Sequence, residues 1–103
     1  MALKLSRQTQ MIVEKLFPNS EQPDVIKWLV EDCGTNLPFC KDSDEYQMER
    51  IRFAVLKLSQ GDSLKLLEAI ELAKKDWRDV LVWSGFGTDL DAHHKWAEQI
   101  TKQ

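Results

Sequence analysis

The sequence predicts an all-α fold, a compact bundle of five or six short helices around a central helix at about residues 44–60. Three observations predict it. Apolar residues recur at helical spacing in stretch after stretch, and none of the stretches alternates with the period of two that a half-buried strand requires. Glycine, proline and capping residues punctuate the chain at intervals that suit short helices. The segment from Asp42 to Gly61, DSDEYQMERIRFAVLKLSQG, carries apolar residues on two faces: Met48, Ile51, Ala54, Val55 and Leu58 share one arc, and Tyr46, Phe53 and Leu56 share another across from it. A surface helix needs one such arc, so two of them predict a helix packed from both sides.

In chain order, Thr9, Ile12, Val13 and Leu16, with Leu5 just before, fit a first helix capped by Ser6 and ended by Phe17-Pro18-Asn19. A second begins around residues 20–22, takes Pro23 in its first turn, where the missing N–H costs nothing, and stops at Gly34. Its core arc is Val25, Ile26, Leu29, Val30 and Cys33. Trp28 projects near the opposite side, beside Glu31 and Asp32. The loop 34–41, GTNLPFCK, is apolar for a loop and is expected to fold back onto the bundle.

The central helix has Asp42 or Ser43 as its cap and Gly61 as the left-handed residue that ends it. Gly61-Asp62 is a tight link, so the next helix must return as an antiparallel neighbour, giving a hairpin over 44–75. In its first part, Leu64 to Lys75, the residues Leu66, Leu67, Ala69, Ile70 and Ala73 point inward and Lys65, Glu68, Glu71 and Lys75 outward. Asp76 is a new cap and predicts a break, followed by a short helix from Trp77 to Ser84. Gly85-Phe86-Gly87 then closes that helix, with Phe86 folding back over the last turn. A last helix starts near Thr88 or Asp89, has Asp91 in its first turn, and places Leu90, His93, Trp96, Ala97 and Ile100 on one face.

A chain of 103 residues fits a single all-helical domain over 1–103. The net charge of −3, with its signs interleaved, argues against nucleic acid as a ligand, since phosphate binding draws on concentrated Lys and Arg. A helix-turn-helix drawn through Gly85-Phe86-Gly87 would present Asp89 and Asp91 to the phosphates. The N-terminus is neither a signal peptide nor a membrane span, so a soluble, cytoplasmic protein without a membrane partner is expected. Cys33 and Cys40 are then expected as thiols.

No phosphate-cradling glycine loop, HExxH or GxSxG motif is present. Cys33, Cys40, His93 and His94 are poorly spaced for zinc, and neighbouring histidines on a helix diverge by about 100°. The expectation is therefore no catalytic residue, no cofactor and no metal, with His93 a core histidine. Arg50 and Arg52, at the borders between the two apolar arcs, should reach carboxylates such as Asp76 or Asp79.

No motif fixes a function; the expectation is a small intracellular protein–protein interaction or regulatory module whose partner is another protein. Two alternatives stand beside it: an acidic inhibitor of the immunity-protein or antitoxin kind that covers a basic partner, and a small enzyme of unknown chemistry. The candidate partner-binding patch is Trp28, Glu31, Asp32, Leu37 and Phe39, because Trp28 lies outside its helix's core arc and the apolar loop follows within reach.

Overall fold

The computed structural model describes residues 5–33, 45–87 and 91–102. Five helices form among them: α1 (Arg7–Leu16), α2 (Gln22–Glu31), α3 (Glu45–Ser59), α4 (Ser63–Ser84) and α5 (Ala92–Thr101). No strand occurs among the described residues. The architecture is the predicted all-α bundle, and α3 is its centre. Every residue from Arg50 to Leu56 is buried, so along this stretch the helix is covered on both of its apolar sides. The core draws Ile12, Val13, Val25, Leu29, Ile70, Val80 and Ala97 from the other helices around Ile51, Phe53, Val55 and Leu56.

Local chemistry sets most of the helix ends. The Ser6 hydroxyl accepts from the Thr9 amide at 3.1 Å and so caps α1. Pro23 sits in the first turn of α2. That helix ends at Glu31, short of the expected stop at Gly34, although Cys33 beyond it is still buried. α5 runs from Ala92 with Asp91 at the capping position; the expected start at Thr88 or Asp89 and the core position Leu90 lie outside the described residues. So do the caps Asp42 and Ser43 and the loop 34–41, including Cys40.

The hairpin between α3 and α4 forms as expected, and these two helices share the most extensive packing in the bundle. Its turn needs two residues of positive φ, Gln60 at 52° and Gly61 at 80°, where the pattern suggests only Gly61. The Asp62 carboxylate then accepts from the Leu64 amide at 2.9 Å and caps α4. Gly61 is required twice over. A Cβ there would meet the Leu16 carbonyl oxygen at 2.8 Å, so the turn is pressed against the end of α1. Gly85 also has positive φ, 87°, but a Cβ on it would meet only the flexible Lys57 ammonium at 3.7 Å. Gly85→Ala is therefore expected to lower stability by about 1 kcal/mol, the ordinary left-handed penalty, and Gly61→Ala by roughly 2 kcal/mol or more. Urea unfolding of the two variants checks the order; equal losses would mean that the Leu16 carbonyl yields.

α4 is broken where the sequence places a new cap. Asp76 leaves helical geometry with φ −162° and ψ 106°, and its carboxylate accepts from the Arg78 amide at 3.0 Å. Arg78 also donates to it from Nε and Nη2, and these hydrogen bonds hold the Asp76 carboxyl below the usual carboxylate range. The second half of α4 closes on the expected fold-back stop: the Phe86 amide donates to Leu81 O at 2.8 Å and the Gly85 amide to Val82 O at 3.1 Å. Phe86 is buried against the core.

Two expectations fail here. Leu67 is not a core residue; it is 37% exposed. The buried residues Leu66, Ala69, Ile70 and Ala73 define the face that meets α3, and Leu67 lies about 110° round the helix from their mean direction. Asp76, one of the carboxylates expected for Arg50 and Arg52, is engaged by Arg78 instead. Arg50 donates from Nη2 to the Phe86 carbonyl and Arg52 from Nε to the Cys33 carbonyl at 3.1 Å. Lys57, two turns beyond Arg50 on the same face, donates to the Ser84 carbonyl at 2.8 Å and lies 5.0 Å from the centre of the Phe86 ring. Three cations of the central helix thus serve the carbonyl-rich ends of α2 and α4, where positive charge is favoured and intrahelical donors run out. Burial pushes the Arg52 guanidinium below its usual value, an effect that neighbouring Cys33 partly offsets.

Candidate functional site

The sequence-derived patch is only partly in view. Trp28 is half-buried and packs against the core, Glu31 is exposed, and Asp32 is half-buried with a carboxylate oxygen 3.7 Å from Lys74 Nζ of α4. Leu37 and Phe39 lie outside the described residues.

Large apolar side chains emerge elsewhere, on the outward face of α4. Val82 is 68% exposed and Trp83 75%, and Leu64 near the start of the same helix is 65% exposed. Around Leu64 and Leu67 runs a shallow apolar groove edged by Glu68, Glu71 and Lys75. Trp83 follows from local geometry. In the short helix after Asp76 the core side is taken by Val80, Leu81 and Ser84, which leaves positions 82 and 83 on the side shared with Arg78 and Asp79. The signal was available in the sequence, because the wheel that singles out Trp28 also places Val82 and Trp83 off the core arc.

The platform beneath Trp83 is rigidly tied. The carbonyl of the next residue, Ser84, is held by Lys57, and that of Phe86 by Arg50, while the Ser84 hydroxyl donates to Leu81 O at 3.0 Å. A Cβ on Gly87 would come within 3.2 Å of the Val82 side chain, so the turn after the helix closes against Val82. The fixed backbone supports an aromatic side chain that remains largely in water.

A second group assembles where α5 meets α3. His93 is fully buried, with its ring centre 5.5 Å from that of Phe53 and 6.2 Å from that of Phe86. Trp96 completes this aromatic cluster, 6.2 Å from Phe53 and 6.0 Å from Phe86. The rings of His93 and His94 do not diverge as helical geometry alone suggests; their centres are 4.1 Å apart. His94 Nδ1 lies 3.8 Å from a carboxylate oxygen of Glu49. Glu49 belongs to α3, and no spacing rule links it to residues more than forty positions away.

Comparison with known protein families, with characterised proteins and with solved structures yields no match. The functional reading therefore rests on these side chains.

Proposed function

We propose that the protein is an interaction module that binds another protein, in the cytoplasm, through the outward face of α4 centred on Trp83 and Val82. The observation that carries this reading is the 75% exposure of Trp83 beside a 68% exposed Val82 on a helix end held by Arg50 and Lys57. Single exposed apolar residues are ordinary on protein surfaces. A tryptophan on a fixed backbone is different, because an interface gains its contact area without having to order the chain beneath it. Covering an indole of about 200 Å² that is three-quarters exposed would contribute on the order of 3–4 kcal/mol. Arg78 and Asp79 supply the polar rim that such anchors usually have.

No helix among the described residues is long and apolar enough to cross a membrane. The interleaved charge supports a protein partner over a nucleic acid.

A photo-crosslinking residue placed at position 83 in native cells, with one at exposed Lys65 as control, tests the reading. The expected result is a discrete crosslinked species at 83 that is missing at 65. Trp83→Ala should leave the melting temperature within about 2 °C of wild type, since it removes few buried contacts. Crosslinks no different from the control would remove this face from consideration.

A further inference from the structure

We propose that Glu49, His93 and His94 form a binding site for a divalent first-row transition-metal ion, with zinc as the representative case. The observation is the convergence of one ligand atom from each of the three residues, all within 4.8 Å of one another. Two imidazoles and one carboxylate are a donor set that suits zinc and its neighbours, whereas calcium and magnesium favour oxygen ligands throughout. With three protein ligands among the described residues, the ion would keep at least one position for water.

The spacing is that of a site slightly open. Ligand atoms around a tetrahedral zinc stand about 3.4 Å apart, so the widest pair would have to close by at most about 1.4 Å. Side-chain rotation can supply this, because the Glu49 and His94 side chains are 19% and 37% exposed and so have solvent on one side. The buried member, His93, is held between Phe53 and Phe86, so two adaptable ligands face one that is positioned by packing. The exposure rises from His93 through Glu49 to His94, which gives an ion a route inward from solvent. The apolar wall formed by Phe53 and Phe86 would limit the water that competes for the ion.

Because the ligands come from α3 and α5, the site exists only when α5 is docked. Metal binding would therefore stabilise that docking, as for any ligand that binds the folded state alone.

Zinc titrated by calorimetry into chelator-stripped full-length protein is expected to bind one ion per chain with a Kd of about 10 μM or tighter. At a hundredfold excess over Kd it should raise the melting temperature by on the order of 10 °C. Glu49→Gln and His94→Gln, both at partly exposed positions, should each weaken binding at least about tenfold while leaving the helical circular dichroism spectrum unchanged. Cobalt provides a readout that needs no variant: its visible spectrum should show bands of a nitrogen and oxygen site without thiolate charge transfer. A Kd weaker than about 10 μM, affinity retained in either variant, or thiolate bands that place the metal on a cysteine would each overturn the proposal.

Discussion

Ile51→Asp and Val55→Asp are expected to abolish the cooperative folding transition. Both side chains are fully buried in α3, one turn apart on the face that carries Met48 and Ala54, and the opposite face is closed by Phe53 and Leu56. An aspartate at either position has no route to solvent, because a helix covered on two sides cannot rotate the charge outward. A carboxyl group without a partner in such a place costs several kcal/mol, even after it has taken up a proton to avoid the larger penalty of a buried charge. Lost apolar burial adds about 2 kcal/mol. Together these are comparable to the lower part of the stability range of an ordinary domain, about 5–15 kcal/mol. Circular dichroism on heating should show a broad, low-amplitude change in place of a transition. Val55→Ala, which leaves only a cavity, should retain a sharp transition and lose about 1–3 kcal/mol. A sharp transition at the wild-type temperature in Ile51→Asp would show that α3 is not held on both sides.

Replacing Arg52 should be the most damaging change at any charged residue of the bundle. Its side chain is 2% exposed, and its Nε donates to the Cys33 carbonyl at the end of α2. Two effects compete in Arg52→Met. Removing a buried cation is favourable in itself, since burial already pushes this guanidinium below its usual value. The methionine keeps most of the stem but leaves the buried carbonyl without that donor, and hydrogen bonds to charged groups contribute about 1.5–3 kcal/mol. The second effect should win. Arg52→Met is expected to lose about 2 kcal/mol, and Arg52→Ala about 3–5 kcal/mol because a cavity is added to the lost bond. Hydrogen exchange locates the damage: the last turn of α2 should lose protection before α1 or α4 does. A more stable Arg52→Met would mean that desolvation outweighs the carbonyl bond and that α2 ends without help from α3.

What the sequence made legible was the part of the structure decided within a turn or two of chain. Ser6 and Asp62 cap the helices that follow them, Asp76 breaks α4, and Gly85 with Phe86 closes it, each through bonds to residues two to five positions away. The central place of α3 was legible for a related reason, since a helix with two apolar arcs has only one way to cover both. At Leu67 the same pattern misled: the wheel gives the direction of a side chain but not the width of the neighbour that covers it.

The tertiary structure decided where side chains from different helices meet. Arg50, Arg52 and Lys57 could be recognised as long cations on a mostly apolar helix, but the carbonyls they reach, at Phe86, Cys33 and Ser84, depend on where α2 and α4 end against α3. The convergence of Glu49 with His93 and His94 depends on the docking of α5, and the approach of the two histidine rings on side-chain rotation that a wheel does not contain. Backbone bonding over three or four residues has a fixed geometry and leaves a pattern in the sequence. Contacts between helices follow from shape and packing angle summed over the whole core, so no single stretch of sequence records them.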